Sequence, residues 1–295
     1  MAVSIKSVPS AIRLHREMAS LYRGTVDERI MAGAPDIKLI VTDGDGCMLP
    51  LGSLPDRKLV KKLSVAMRLG MGYTDLALVT ANSYGSECVR LASKIGITAY
   101  FEMGNKMLHE GEVSLRVGAD DMEFLRMHAR PVLDRLLLSE FPEYTRSILP
   151  QGVTAMSCPI PASVDVTHFS SRVEGIIANG ADRSLSDKLL VSGSSDRFVY
   201  VTFKGSGKAE VLEGLLRGRE RGSVMYVGDG AADIPAFKAV AGHGGLCIAP
   251  ENAEPEVKRL LQGLETGIVY PKADTECLWE VISAVITARM RAARQ

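Results

Sequence analysis

Short apolar runs alternate with amphipathic helical segments along much of this chain, and this alternation restricts its fold more than any other feature. The run 37–42 (IKLIVT) is rich in β-branched residues and lies between Pro35 and a glycine-rich turn, which is typical of a buried strand. A helical pattern over 58–69 and a second apolar run at 76–80 follow it. Because helices that connect parallel strands cover both faces of the sheet, the pattern predicts an α/β fold with a doubly wound, Rossmann-like parallel sheet.

The alternation stops near residue 105 and resumes after about residue 208, so one segment is inserted into the predicted core. Its pattern combines a helix at 122–138 with strand-like stretches at 161–170 and 197–203, which indicates an α+β domain. A helical pattern interrupted by charges precedes the first strand. We therefore predict three units, an N-terminal helical extension, a core domain and an inserted domain, at residues 1–35, at 36–104 with 201–295, and at 105–200.

Charge and cysteine usage argue against several classes of protein. The 295-residue chain has 35 Lys and Arg and 35 Asp and Glu residues, so it lacks the positive charge that drives binding to nucleic acids or anionic membranes. Its five cysteines are scattered without a Cys-x-x-Cys pair, which favours a reducing, cytoplasmic setting over a disulfide framework. No apolar run approaches the roughly 18 residues of a membrane span. We expect a small-molecule partner, with no nucleic acid and no membrane, and the sequence leaves a homo-oligomer open.

Two carboxylates follow the first predicted strand in the motif DGDGC at 43–47. In a doubly wound sheet, ligands bind beyond the carboxyl ends of the strands, which is where Asp43 and Asp45 are expected. A carboxylate nucleophile next to a second carboxylate that acts as acid and base is sufficient for phosphoryl chemistry. Gly46 allows backbone N–H groups to turn toward a bound anion. An ordinary Asp-Gly turn is the alternative for this motif taken alone.

Polar residues that suit a phosphate occur at two further positions. Thr80, Ala81 and Asn82 follow the second strand and open a helix, whose N-terminal amides favour phosphate, although a simple N-cap has the same pattern. Lys208 opens a helix at the end of a KGSGK sequence. The Walker phosphate loop is a poor match there, because Thr202 stands where that loop has glycine. A lysine beside a bound phosphate and a solvated lysine both stay open for Lys208.

A second acidic motif, GDGAAD at 228–233, follows a later predicted strand. It is similar in spacing to a dinucleotide-binding turn, but Asp233 replaces the third glycine and Asp229 would place negative charge beside a pyrophosphate. Carboxylates suit a hard divalent cation better. The two acidic motifs together predict an oxygen-rich Mg²⁺ site formed by Asp43, Asp45, Asp229 and Asp233.

In this order, the four motifs resemble those of the haloacid dehalogenase-like (HAD) superfamily, whose phosphatases carry Asp-x-Asp-Gly, a Thr or Ser, a Lys and Gly-Asp-Gly-x-x-Asp. The resemblance covers residues 37–104 and 200–255, and the segments EMGN at 102–105 and VTFKGSGKAEVL at 201–212 are similar to the Cof-type subgroup. The insertion lies between the second and third motifs, as C2-type caps do. The resemblance therefore implies a Rossmann-like core with a C2-type cap domain.

The resemblance also implies a role for each motif in phosphoryl transfer. Asp43 would attack phosphorus to form an aspartyl phosphate, and Asp45 would protonate the leaving oxygen and then activate water. Lys208 and Thr80 would hold the phosphoryl oxygens, with Mg²⁺ as the cofactor. The ligands of Mg²⁺ would be the Asp43 carboxylate, the Asp45 backbone carbonyl, Asp229 and Asp233. We expect a Mg²⁺-dependent phosphomonoesterase that hydrolyses a small phosphorylated metabolite, either a sugar phosphate or a phosphoglycerate-like compound.

Three positions depart from the family pattern, and other activities stay open beside the hydrolase. Cys47, Asn82 and Ala232 stand where relatives often have other residues, which affects hydrogen bonding around the phosphate more than the reaction class. A C2-capped phosphomutase shares the motifs, a catalytically dormant HAD-fold protein that binds a metabolite is the non-enzyme alternative, and a nicotinamide oxidoreductase is the alternative from another enzyme class. The candidate substrate contacts in the cap are polar residues near its predicted strand ends, namely His168, Ser170, Ser171 and Arg172.

Overall fold

The computed structural model describes residues 28–51, 55–146, 154–195 and 197–293. The predicted N-terminal helical extension lies outside these residues up to residue 27. Within the described ranges, no helix combines the length and the apolar character that crossing a membrane requires.

Helices and strands alternate as the sequence predicts, with additional strands in and next to the insertion. The strands are β1 (Leu39–Thr42), β2 (Asp75–Val79), β3 (Thr98–Phe101), β4 (Lys106–His109), β5 (Glu112–Leu115), β6 (Met156–Pro159), β7 (Leu189–Ser194), β8 (Phe198–Phe203), β9 (Val224–Val227), β10 (Leu246–Ala249) and β11 (Gly267–Val269). The α-helices are α1 (Glu28–Gly33), α2 (Arg57–Gly70), α3 (Glu87–Ile95), α4 (Ala119–Phe124), α5 (Arg130–Glu140), α6 (Val166–Asn179), α7 (Arg183–Lys188), α8 (Lys208–Leu216), α9 (Ile234–Gly242), α10 (Pro255–Gln262) and α11 (Asp274–Ala292).

An eight-stranded sheet forms the core, in the order β11-β10-β9-β1-β2-β3-β4-β5. The strands from β11 to β3 are parallel, and β4 and β5 continue the sheet as an antiparallel hairpin. Because β1 lies between β2 and β9, the winding of the chain reverses at β1. The carboxyl end of β1 is thus the switch point at which doubly wound sheets bind their ligands. The structure confirms the predicted α/β fold with a doubly wound parallel sheet.

Apolar side chains of helices cover both faces of the large sheet. On one face, α2, α3 and α11 contribute Leu63, Val89 and Ile282 to a continuous core. On the other face, α8 and α9 contribute Val211 and Phe237. Burial of one such side chain stabilises the fold by about 1.5–3 kcal/mol, so the two layers hold the strands, and therefore the strand ends, in fixed positions.

The insertion forms a smaller α+β layer with a core of its own. Its antiparallel sheet has the order β6-β8-β7. Its core includes Leu133 of α5, Phe169 of α6 and Val199 of β8. The predicted α+β cap is therefore present between β5 and α8.

One segment of the cap differs from the prediction. The sequence pattern predicts a strand at 161–170, but helix α6 begins at Val166. The Asp165 carboxylate accepts hydrogen bonds from the backbone N–H groups of Thr167 (2.8 Å) and His168 (3.1 Å), which satisfies the first turn of a helix. The strand prediction is wrong here, because this N-cap and the helical spacing of the apolar residues after it outweigh a short polar–apolar alternation.

The hairpin of β4 and β5 belongs to the large sheet, whereas the predicted insertion begins at residue 105 and includes it. A two-residue turn connects the two strands, with a φ of 50° at Glu110 and 86° at Gly111. Positive φ at both central residues is typical of the tight turns that join antiparallel strands. Residues 106–115 thus extend the core sheet before the first cap helix.

Candidate active site

Neighbouring strands end in residues of the predicted motifs. Asp43 follows β1, Thr80 follows β2 and Asp229 comes soon after β9. The register of β1 with both neighbours brings these ends level, and the Asp43 backbone N–H donates to the Val227 carbonyl over 2.8 Å. Asp43 therefore lies at the centre of the carboxyl edge of the sheet, with the other two motifs on either side.

Lys208 connects the two acidic motifs. It is the first residue of α8, and only 4% of it is exposed. Its Nζ lies 2.8 Å from Asp43 Oδ2 and 2.6 Å from Asp233 Oδ1. Burial alone would lower the pKa of Lys208, but the two carboxylates raise that pKa above its ordinary value, so the ammonium stays charged. Lys208 therefore compensates part of the negative charge around Asp43.

The Asp233 carboxylate holds the loop that carries Asp229. Besides Lys208, its Oδ1 accepts a hydrogen bond from the Tyr226 hydroxyl over 2.6 Å. Its Oδ2 accepts from the backbone N–H groups of Asp229 (2.9 Å) and Gly230 (3.0 Å). Since Asp233 is completely buried, these four bonds fix the loop and with it the direction of Asp229.

A divalent cation fits the group of carboxylates next to Lys208. Oxygens of Asp43, Asp229 and Asp233 lie within 4.8 Å of one another. Asp233 already accepts four hydrogen bonds, so Asp43 and Asp229 are the better direct ligands and Asp233 contributes its charge. Hard oxygen donors are the ligands that Mg²⁺ prefers. The three carboxylates face one ammonium, which leaves an excess of negative charge that a divalent cation would neutralise. The Asp45 carboxylate is not part of this group, so the predicted contribution of Asp45 to a metal site rests on its backbone carbonyl.

Asp43 and Asp229 hold protons more tightly than ordinary carboxyl groups. Burial raises the pKa of Asp43 to about 7, against the lowering effect of Lys208. Burial, followed by the charges of Asp43 and Asp233, raises the pKa of Asp229 to about 9. Near neutral pH, the metal-free pair therefore retains protons that a bound cation would displace.

We expect Mg²⁺ binding to release protons at pH 7, because metal ligands must be deprotonated and these carboxyl groups are partly protonated without metal. Calorimetric titration of Mg²⁺ in two buffers of different ionisation enthalpy measures the released protons. Asp229→Asn is expected to release fewer protons than the wild type, and equal release by the two proteins would contradict the assignment of Asp229.

The raised pKa values also make the stability of the metal-free protein depend on pH. A group whose pKa is raised in the folded state favours folding while it keeps its proton, and this contribution is lost as the pH rises through the folded pKa. The stability of the metal-free protein is therefore expected to fall as the pH rises from about 4 to about 9.

The second motif contacts the first through side chains. Thr80, Ala81 and Asn82 line the same cavity as Asp43 and Asp45. The buried Thr80 hydroxyl oxygen accepts a hydrogen bond from the Asn82 backbone N–H over 3.2 Å. The Asn82 side-chain amide donates to Asp45 Oδ2 over 2.9 Å. The phosphate-binding role assigned to the second motif stays a prediction.

Gly46 and Cys47 lie against Asp229. Gly46 has a φ of +76°, and a Cβ atom at this position would overlap the Asp229 carboxylate, so glycine is needed for space as well as for conformation. Cys47 is buried with its Sγ 3.5 Å from Asp229 Oδ1. Burial and then the charge of Asp229 raise the pKa of the Cys47 thiol well above its ordinary value. The thiol therefore stays protonated, which disfavours a redox role.

A cavity of about 200 Å³ lies between the core and the cap. The predicted site residues that line it are Asp43, Asp45, Thr80, Ala81, Asn82, Lys208, Asp229 and Asp233. From the cap, the hairpin of β7 and β8 contributes Ser194, Ser195, Arg197, Phe198 and Tyr200. The hairpin therefore forms the cap side of the candidate active site.

The hairpin residues are the ones that sequence reasoning missed. The predicted cap contacts all lie on α6, and the cavity lining does not include them: His168, Ser170, Ser171 and Arg172. Arg172 instead donates to the Glu140 carboxylate over 2.7 Å, on the helical side of the cap. The signal that could have identified the hairpin is the polar sequence SSDR at 194–197 between two strand-like runs.

Close packing between cap and core accounts for the small residue at position 232. A Cβ atom at Gly193 of β7 would lie 2.7 Å from the Ala232 Cα and 2.8 Å from its Cβ. Both distances are shorter than normal van der Waals contact, so the two backbones approach as closely as these residues allow. One departure from the family pattern, Ala232, therefore lies where the cap hairpin meets the last motif.

Comparisons with known proteins bear on the fold. No family model and no curated protein matches the chain. Among solved structures, the sucrose-phosphatase from Synechocystis sp. PCC6803 in complex with sucrose and phosphate aligns with a TM-score of 0.62 at 18% identity, over 84% of this chain and 97% of that chain. The C. albicans trehalose-6-phosphate phosphatase C-terminal domain aligns with a TM-score of 0.64 at 10% identity, over 89% of this chain and 98% of that chain. Thermoplasma acidophilum 0175 aligns with a TM-score of 0.60 at 16% identity, over 84% of this chain and 98% of that chain.

At these identities the likeness concerns the fold and not the activity. The alignments extend over nearly the whole of each neighbour and over 84–89% of this chain. The chain therefore shares the fold of these neighbours, and this fold is the predicted doubly wound core with an inserted cap.

Proposed function

We propose that the protein is a Mg²⁺-dependent phosphomonoesterase that hydrolyses a small phosphorylated metabolite through an aspartyl-phosphate intermediate. The observation that carries the proposal is the grouping of Asp43, Asp45, Lys208 and Asp229 around one cavity. A carboxylate nucleophile, an acid and base, a fixed cation and metal ligands are the parts that phosphoryl transfer requires.

The proposed reaction has two steps. In the first, an Asp43 oxygen bonds to phosphorus while the bond to the leaving oxygen breaks, and the leaving oxygen takes a proton from Asp45. In the second, water attacks phosphorus and gives a proton to Asp45, the bond to Asp43 breaks and phosphate is released. Lys208, 2.8 Å from Asp43, lessens the repulsion between carboxylate and phosphate in both steps. Mg²⁺ held by Asp43 and Asp229 would add positive charge at the phosphoryl oxygens.

A sugar phosphate is the substrate class that we propose. Two neighbours in fold are a sucrose-phosphatase solved with sucrose and phosphate and a trehalose-6-phosphate phosphatase, and both names support this class. A second cavity of about 640 Å³ adjoins the first, and both are lined by Ser194, Ser195 and Glu254. Its volume lies in the range of small-molecule sites, so it offers room for a leaving group of sugar size.

The second cavity favours an uncharged leaving group. Besides Asp229, its lining contains the carboxylates of Glu254, Glu256 and Asp274 and one cation, Arg259. Because like charges repel, a leaving group with its own carboxylate binds there less well than one with hydroxyl groups. This charge pattern supports a sugar phosphate over a phosphoglycerate-like compound.

We expect the specificity constant kcat/KM to be about tenfold higher for glucose 1-phosphate than for glucuronic acid 1-phosphate. The two compounds differ only in a carboxylate, so their ratio measures the effect of charge. Glu256→Lys is expected to reduce the ratio, whereas Glu213→Lys, exposed on α8, serves as a control with the same change of charge. A wild-type ratio near one, or equal ratios in the two variants, would contradict the electrostatic argument.

Phosphate release from sugar phosphates, phosphoglycolate and p-nitrophenyl phosphate, with Mg²⁺ and with a chelator, tests the proposed function. We expect release that depends on Mg²⁺ and a phosphoryl group on Asp43 when the reaction is quenched in acid. A sugar phosphate that is bound unchanged would overturn the hydrolase in favour of a binding protein. Isomerisation without release of phosphate would overturn it in favour of a mutase.

A further inference from the structure

The Asn82 side chain is bonded to the proposed acid and base. Its Nδ2 donates to Asp45 Oδ2 over 2.9 Å and to Cys88 Sγ over 3.4 Å, so both amide hydrogens are engaged. We propose that Asn82 is a positioning residue that orients Asp45 for proton transfer to the leaving group, in place of the phosphate contact that its position in the motif suggests. This inference rests on the proposed function.

The backbone of Asn82 is fixed from both sides, which makes it a suitable anchor. Its N–H donates to Thr80 Oγ1 over 3.2 Å, and its carbonyl accepts from the Glu102 N–H over 2.8 Å. The second partner of the amide is fixed as well, because Cys88 lies in α3 with its Sγ 3.3 Å from Ser86 Oγ. The amide therefore has one direction in which it satisfies both of its donors.

The contact with Asn82 decides which oxygen of Asp45 carries the transferred proton. Asp45 Oδ2 accepts a hydrogen bond from the Asn82 amide, and this bond uses a lone pair of Oδ2. In the neutral carboxyl group, the proton is therefore placed on the other oxygen, Oδ1. In the first step, the Oδ1–H bond breaks and the proton goes to the leaving oxygen as its bond to phosphorus breaks. In the second step, Oδ1 takes a proton from the attacking water. Asp45 belongs to the loop after β1, so its hydrogen bond with Asn82 connects this loop to the end of β2.

Proton transfer matters for a poor leaving group and hardly for a good one, and this difference separates positioning from a merely structural role. Asn82→Ala is expected to lower kcat/KM, which reports the first step, about tenfold for an alkyl phosphate such as glycerol 2-phosphate, through kcat and not through KM. For p-nitrophenyl phosphate, whose leaving group departs as an anion, we expect kcat/KM to change by less than about twofold, because the proton that Asp45 gives in the first step is not needed. The control is Ser83→Ala, an adjacent polar residue that is not part of the cavity lining, for which we expect wild-type values with both substrates.

A double-mutant cycle tests whether Asn82 acts through Asp45. In an Asp45→Ala background, Asn82→Ala is expected to have no further effect on the alkyl phosphate, because the group that it orients is gone. Asn82→Leu keeps the approximate shape of the side chain and loses both donors without adding a charge beside Asp45, and it replaces Asn82→Ala in the cycle if that variant does not fold. Equal losses with both substrates, a rise in KM alone, or additive losses in the cycle would overturn the positioning role while leaving the phosphatase in place. A wild type that releases phosphate from neither substrate would overturn the proposed function and this role with it.

Discussion

Phosphate release is expected to fall by about 10⁴-fold in Asp43→Asn, at saturating substrate and Mg²⁺. The amide keeps the shape of the side chain and the backbone bond of Asp43 to Val227, but it cannot form the bond to phosphorus. It also removes one of three clustered carboxylates. The metal-free variant is therefore expected to be at least as stable as the wild type, so a loss of activity cannot be ascribed to unfolding.

Initial rates of phosphate release, with urea unfolding on the same preparations, measure both effects. Asp187→Asn is the matched control, since Asp187 is exposed on α7 in the cap. We expect wild-type rates from that variant. If Asp43→Asn retained a tenth of the wild-type rate, the nucleophile would have to be a different group, and the proposed two-step reaction would be wrong.

The location of the candidate site could be predicted from the sequence, because the carboxyl ends of neighbouring strands in a parallel sheet come together whatever the details of packing. Asp43, Thr80 and Asp229 each follow an apolar run that reads as a buried strand, and the fold brings these three ends to one edge. Lys208 is farther from such a pattern, and the resemblance of the motifs was needed to choose between a solvated lysine and one in the site. Because only 4% of Lys208 is exposed, it is a buried lysine and not a solvated one.

The partners that orient these groups could not be predicted, because they depend on contacts between distant segments. The hydroxyl of Tyr226 reaches Asp233, and the Glu254 carboxylate accepts the Ala231 N–H over 2.8 Å. Neither residue lies within a recognisable motif. In the cap, the strand prediction at 161–170 failed because Asp165 caps a helix. An N-cap is a local signal that competes with a short alternation of polar and apolar residues.

The β4–β5 hairpin shows a case in which the signal was present in the sequence. Glu110 and Gly111 separate two short runs, and such a two-residue turn is typical of an antiparallel hairpin. What the sequence does not contain is the partner of that hairpin. Pairing of β4 with β3 assigns it to the large sheet, and this pairing is a tertiary contact.

Lys208→Met is expected to lower both activity and stability, and the loss of stability is expected to depend on pH. The substitution keeps an unbranched side chain that is one atom shorter, but it leaves Asp43 and Asp233 without the ammonium that lies within 2.8 Å of both. Removing one partner of a buried ion pair typically costs about 3–5 kcal/mol. Activity is expected to fall by about 10³-fold, because a fixed positive charge next to the phosphoryl group is lost.

The pH dependence follows from the direction of the Asp43 pKa. That pKa is already raised to about 7, and Lys208 lowers it, so removal of Lys208 raises it further. A group whose folded pKa is raised contributes stability that is present below its unfolded pKa and is lost as the pH rises through the folded value. Because Asp43 keeps its proton at pH 5 in both proteins, the destabilisation of metal-free Lys208→Met relative to wild type is expected to be smaller at pH 5 than at pH 8.

Urea unfolding of the metal-free proteins at both pH values measures this difference, and Lys204→Met is the matched control. Lys204 belongs to the same KGSGK sequence but is exposed, so its removal is expected to change stability by less than about 0.5 kcal/mol at either pH. A destabilisation of Lys208→Met that was equal at pH 5 and pH 8 would show that lost packing, and not uncompensated carboxylates, explains it. An active and stable Lys208→Met protein would contradict the charge balance on which the proposed site depends, because the three carboxylates would then tolerate one another without a cation.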